Sequence, residues 1–214
     1  GHYTYDYITN VLGTNEVYVI YEGNNSHDYS TNATSFNVRK ISSIIDVNKI
    51  STIVIGNNVT VNGTLKDEFG NKLVNTTISL NINDKTVNVT TDNNGNYKYT
   101  FQTNKIEVNT IDVSYSGNDS YLSANTRVAF DVRKILTDVD INNISDVKIN
   151  SNVVINGTLY DEYGNVMKNT PIKLIINNQT YNITTDNNGN YKYTYKVNSL
   201  NNTVEVVYLG NNTH

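Results

Sequence analysis

The chain repeats itself every 94 residues, and that period constrains its fold more than any other feature. Residues 41–100 align with 135–194 without a gap at 35 identities in 60 positions. Within that alignment TTDNNGNYKYT at 90–100 returns letter for letter at 184–194, and GTLxDExGN at 63–71 returns at 157–165. The first 40 residues match the second half of the unit, since GHYTYDY parallels GNYKYTF and FNVRKI parallels FDVRKI. At the other end YLGNNTH, 208–214, matches YEGNNSH, 21–27. The expected organisation is the C-terminal part of one repeat at 1–40, a complete repeat at 41–134, and a repeat lacking its last strand at 135–214. Such a chain reads as an excerpt from a longer tandem array.

Within one unit apolar and polar residues alternate over runs of five to eight, the period of a half-buried strand. Val59, Val61, Gly63 and Leu65 share one face, and Thr60, Asn62 and Thr64 the other. The same alternation runs through Ile78, Leu80 and Ile82, then Val87 and Val89, then Tyr97, Tyr99 and Phe101. It continues in Ile111, Val113 and Tyr115 and ends in Val128, Phe130 and Val132. With a weaker run at 44–47, about seven strands are separated by the turn signals DEFGN, NDK, DNNGN and SGND. No segment has helical periodicity, so parallel strands joined by crossover helices are excluded. The predicted fold is all-β, a tandem of immunoglobulin-like antiparallel sandwiches with negligible helix; a closed barrel is the alternative.

Charge and composition remove several function classes. The 16 basic and 20 acidic residues give a net charge of -4 without a block of either sign, so no footprint for nucleic acid exists. Cysteine is absent and the three histidines are scattered, which excludes disulfides, thiolate metal sites and cysteine nucleophiles. No cofactor is expected.

Four features offer candidate chemistry. Asp92 and Asn94, repeated as Asp186 and Asn188, place oxygen ligands at alternate positions and are weak calcium candidates. Hairpin-turn chemistry accounts for the same string better: outward threonines, then Asn94-Gly95 at the turn, then tyrosines facing the core. Asp67-Glu68 and Asp161-Glu162 read as solvated turn acids, because adjacent turn residues diverge and cannot form a glycosidase pair. Asn-x-Ser/Thr sequons number 13, and those recurring between copies are the candidate N-glycosylation sites: Asn62 and Asn156, Asn88 and Asn182, and the trio Asn24, Asn118 and Asn211.

The run from VNGTLKDEFGN through VTTDNNGNYKYTF and VSYSGNDSY to FDVRK resembles the Ig-like tandem repeats of adhesin-like cell-surface proteins of methanogenic archaea and related bacterial Ig-like arrays. The resemblance spans the whole chain. It implies an extracellular, cell-surface location and a non-enzymatic rod or stalk for adhesion or surface structure, with VRKI linkers joining neighbouring repeats. Its implied partners are neighbouring repeats, other copies in a fibre, or a host-cell or cell-wall glycan, and not nucleic acid. A self-assembling fibre with strand exchange between copies is the alternative, and a carbohydrate-binding module the lesser one.

Overall fold

A computed structural model describes every residue, Gly1–His214, as sixteen β-strands with no helix. Packing divides the chain into two units. One comprises Gly1–Ile50, Thr60–Phe101 and Asn109–Phe130; the other comprises Ser51–Val59, Gln102–Val108 and Asp131–His214.

The chain opens with an antiparallel hairpin of β1 (Gly13–Tyr21) and β2 (Ser30–Val38), in register from Gly13 opposite Val38 to Tyr21 opposite Ser30. Then β3 (Ser43–Val47) lines up against β5 (Asn58–Asp67), which neighbours β8 (Asn96–Gln102) in a three-stranded sheet. The strands β6 (Thr77–Ile82), β7 (Lys85–Thr90), β9 (Glu107–Tyr115) and β10 (Ala124–Arg133) form the other sheet, with β4 (Ile53–Val54) at its edge, in the order β4-β10-β9-β6-β7. All seven predicted strands are present. The additional β4 pairs in parallel with β10, Ile53 opposite Val132, the edge pairing that completes an immunoglobulin-like sandwich.

Residues 137–207 repeat the plan. Strands β11 (Thr137–Val139), β12 (Asn152–Asp161) and β15 (Asn190–Lys196) form one sheet; β14 (Gln179–Thr184), β13 (Pro171–Ile176) and β16 (Val204–Val207) form the other. The strands β12 to β15 begin and end 94 residues after β5 to β8 at every boundary.

Alternation translates directly into burial. Val59, Val61, Leu65, Ile78, Leu80, Ile111 and Val113 are at most 1% exposed, as are Ile155, Leu159, Leu174 and Ile176. Each such side chain contributes about 1.5–3 kcal/mol relative to an exposed one, so the sandwiches are held by packing without disulfides. Gly63 sits on this inner face for a spatial reason. A Cβ there would fall on the Asp46 carbonyl oxygen, where the buried Tyr97 hydroxyl donates a 2.7 Å hydrogen bond. Gly157, Asp140 and Tyr191 reproduce the arrangement, with a bond of 2.6 Å.

Three sequence expectations are corrected. The DNNGN string is not a hairpin turn: β7 pairs with β6 and β8 belongs to the sheet of β5, so residues 91–95 carry the chain from one sheet to the other. Thr91 and Thr185 are not outward; each is 2% exposed, accepts a backbone N–H from Thr76 or Thr170, and donates to the carbonyl of Leu73 or Met167. Residues 1–12 form no strand although GHYTYDY matches β8, and Tyr3 and Tyr5 are 76% and 88% exposed. In the complete repeat β8 lies beside β5, and residues 1–40 contain no counterpart of β5. Placing a copy of residues 41–94 ahead of Gly1 is expected to give amides 3–7 the exchange protection of residues 97–101. Unchanged exchange would show that the match is one of spelling only.

Candidate functional site

The turns DEFGN and DNNGN prove to be one structure, Asp-x-x-Gly-Asn. Asp67 Oδ1 accepts the backbone N–H groups of Phe69 and Asn71 at 2.9 Å, its Oδ2 accepts Asn71 Nδ2, and Gly70 adopts φ 88°. Asp92 does the same with Asn94, Asn96 and Gly95 (φ 72°); 94 residues on, Asp161 repeats all three bonds and Asp186 the two backbone ones to Oδ1. At the candidate calcium residue Asp92 both carboxylate oxygens therefore serve N–H donors of their own turn, and at Asp186 Oδ1 does. Asn94 and Asn188 meet them through backbone N–H groups.

The turn holds its second residue outward, and Asp67-Glu68 is not a pair of solvated acids. Asp67 is 2% exposed and caps the turn; Glu68 receives Arg39, Nη1 to Oε1 at 2.6 Å and Nη2 to Oε2 at 2.9 Å. The same Glu68 accepts Ser42 N–H at 3.0 Å, while its own N–H donates to the Ser42 carbonyl. Next along the linker, Lys40 Nζ donates to the Asn118 carbonyl at 2.6 Å, and Ile41 N–H to the Ser120 carbonyl at 2.9 Å. The Asn118 side chain shapes that receiving turn, its Oδ1 accepting Ser120 and Tyr121 N–H.

The whole cluster recurs at the next linker. Arg133 grips Glu162 at 2.7 and 2.9 Å, Glu162 accepts Leu136 N–H at 3.0 Å, Lys134 reaches the carbonyls of Asn211 and His214, and Ile135 N–H donates to Thr213. Each VRKI linker is thus tied to two turns of the repeat that follows it. Two of the sequon asparagines, Asn118 and Asn211, sit in those turns, and Asn24 builds the equivalent turn with Ser26 and His27. Asn88 and Asn182 are exposed on β7 and β14; Asn62 and Asn156 are half-buried on β5 and β12.

Exposure decides what the clamp contributes. Side-chain exposures of 66% and 26% for Arg39 and Glu68, and of 40% and 22% for Arg133 and Glu162, leave the ion pairs screened by solvent. Their planar two-point geometry fixes direction more than it adds stability. Replacing Glu162 with Gln is expected to lower the backbone order parameters of residues 134–136 from roughly 0.85 toward 0.6 with little change in melting temperature. Unchanged order parameters would show that the linker is rigid without the clamp.

These contacts also set a pH dependence. The Arg39 guanidinium and then the Ser42 N–H hold the Glu68 carboxyl below its usual range, as Arg133 and Leu136 do for Glu162. At Asp67 burial pushes upward, but the hydrogen bonds from Asn71 and Phe69 together bring the net shift downward; Asn96 and Asn94 N–H groups lower Asp92. A carboxyl depressed in the fold stabilises it above the unfolded-state pKa, and that stability is lost as pH falls through the folded value. The melting temperature is expected to be flat from pH 8 to about 5 and to fall below about 4, near the unfolded values of these acids. A maximum at acidic pH would contradict the assignment.

Sequence reasoning named Glu68, Glu162 and the VRKI linkers but missed that Arg39 and Arg133 pair with those acids and that Lys40 and Lys134 bind the turns. The signal was available: these charged residues return at the 94-residue spacing although surface charges drift freely after duplication.

No family model matches the sequence, and no curated protein does. Among solved structures the chain is similar to a 1.5-MDa bacterial ice-binding adhesin, with 18% identity over 85% of this chain and 62% of that one, at a TM-score of 0.39. It is similar to a Ca2+-stabilised adhesin of an Antarctic bacterium, with 17% identity over 91% of this chain and 55% of that one, at 0.37. A third likeness is to the titin domains z1z2, at 10% identity over 79% of this chain and 95% of that one, with a TM-score of 0.44. The chain spans less than two thirds of either adhesin structure. At such identities and scores nothing about ligand, partner or activity passes to this chain.

Proposed function

We infer that the chain is a segment of an extracellular, adhesin-like surface protein, in which immunoglobulin-like repeats beginning near residues 41 and 135 act without catalysis as a rod or stalk. The single observation that supports this most is the junction: the Arg–Glu clamp, the lysine-to-turn bond and the backbone bond of the linker are built twice, at Arg39 and Arg133. A linker that a protein used as a free hinge would not need them. Glycans on Asn88 and Asn182, which are exposed, and on the turn asparagines Asn24, Asn118 and Asn211 belong to this reading, because each turn uses the asparagine Oδ1 and leaves Nδ2, the atom that carries a glycan. Electron microscopy of labelled source cells tests it: beaded projections with units of roughly 40 Å are expected from strand lengths and sheet spacing. Label confined to the cell interior would overturn it.

A further inference from the structure

Each sandwich carries a polar groove on the outer face of its three-stranded sheet, in the first unit between the ends of β3, β5 and β8 and the Asp92 turn, and in the second at the equivalent place. The two have volumes of about 840 and 550 Å³, the size range of small-molecule sites. Asn48, Asn62, Thr64, Thr90, Asn96 and Lys98 line the first, and the same residue types line the second 94 positions on.

Identity between the copies is concentrated here. All ten lining positions of the first groove are unchanged in the second repeat, against 35 of 60 over the aligned stretch. Several other outward positions differ, Ile44 corresponding to Asp138, Thr60 to Val154, Lys66 to Tyr160, Ser79 to Lys173 and Asn81 to Ile175, while Asn58, Thr86, Asn88 and Thr100 are kept and five of the groove's ten residues lie in the identical run 90–100. Structural duty accounts for Gly63, Tyr97, Asp92 and Asn96, which build the strand crossing and the turn. It does not account for Asn48, Asn62, Thr90 and Lys98, whose side chains make no hydrogen bond within the chain.

We propose that this groove is a carbohydrate-binding site, present once in every repeat. Carboxamides and hydroxyls both donate and accept, as the vicinal hydroxyls of a sugar require, and with Asp46 paired to Lys66 at 3.1 Å, Lys98 against Asp92 leaves no strong field for an anion or a cation. The groove is open and has no exposed aromatic ring, so single-site binding is weak and repetition along an array supplies avidity. The occupant has two sources. It is a glycan of another molecule, or the glycan carried by Asn62 or Asn156 themselves, whose sequons Asn-Gly-Thr form part of the lining. The inference goes beyond the stalk reading and stands independently of it.

The test uses the full 214-residue chain made without glycosylation, applied to an array of hexose, hexosamine and uronic-acid oligosaccharides, beside the protein isolated from its source. An external ligand predicts array binding that falls about tenfold in the double variant Lys98→Ala/Lys192→Ala, the loss expected for one charge-assisted hydrogen bond. Side-chain amide signals of Asn48, Asn62, Asn142 and Asn156 should shift on adding the bound sugar. An internal glycan predicts glycopeptides at Asn62 or Asn156 and nuclear Overhauser contacts from sugar protons to Thr64 or Thr158. Array binding that the double variant retains overturns the site, as does a chain that binds no sugar and either lacks those glycopeptides or shows no such contact. Amide spectra of the double variant outside the groove should be unchanged, which separates lost binding from lost folding.

Discussion

Replacing Tyr97 with Ala is expected to destabilise the first sandwich by about 3–5 kcal/mol, the cost of deleting a buried aromatic ring. Tyr97 is 1% exposed, and its hydroxyl ties β8 to the end of β3 through the Asp46 carbonyl. Burial pushes its hydroxyl well above the ordinary tyrosine value, and that of Tyr191 up to about 12, so neither ionises near neutrality. Tyr97→Phe keeps the ring and should cost only about 1 kcal/mol, the net worth of one hydrogen bond. Urea unfolding of both variants checks the ratio. Because a domain of this size holds about 5–15 kcal/mol in all, the alanine variant should be visibly marginal. Near-equal losses would mean that the hydroxyl, not the packed ring, carries the effect.

Gly63→Ala, the second large effect, works by crowding instead of emptying. Its Cβ would meet the Asp46 carbonyl oxygen and the Tyr97 hydroxyl together, neither at the end of a flexible chain. Overpacking of this kind costs about 1–3 kcal/mol, and displacement of the hydroxyl adds about 1 more. Gly157→Ala should behave alike through Asp140 and Tyr191. By contrast Gly70→Ala meets no atom, and only its φ of 88° opposes the change. Thermal melts of the three variants should therefore rank Gly63 and Gly157 as more sensitive than Gly70.

Both predictions rest on residues whose place is legible in the amino-acid sequence. Period-two alternation puts Gly63 on the face of Val61 and Leu65, and Tyr97 on the face of Phe101. What alternation cannot reveal is which strands pair. The Asn-Gly signal at 94–95 reads as a hairpin because the turn chemistry of a hairpin and of a sheet-to-sheet crossing is locally the same, and only the pairing of β8 beside β5 tells them apart. Strand β4 escapes for a similar reason, since two residues held by a distant parallel partner have no period.

The junction is hidden differently. Glu68 follows an acid in a turn, where solvation is the ordinary expectation, and its partner Arg39 lies 29 residues earlier in the preceding repeat. Nothing local joins them. Recurrence at 94 residues is the one usable sign, and it points equally to the polar groove. Residues such as Asn48 and Lys98 are ordinary surface residues singly; their shared place on one face emerges only when β3, β5 and β8 are laid side by side.

The central claim is that the 94-residue period is a period of folding, with residues 41–134 as one complete sandwich. Expressing that segment alone tests it most directly. The account predicts a dispersed amide spectrum, strand-type circular dichroism and one cooperative unfolding transition whose midpoint drops in the Tyr97→Ala variant. A collapsed random-coil spectrum, with structure returning only when residues 135–214 are attached, would contradict it.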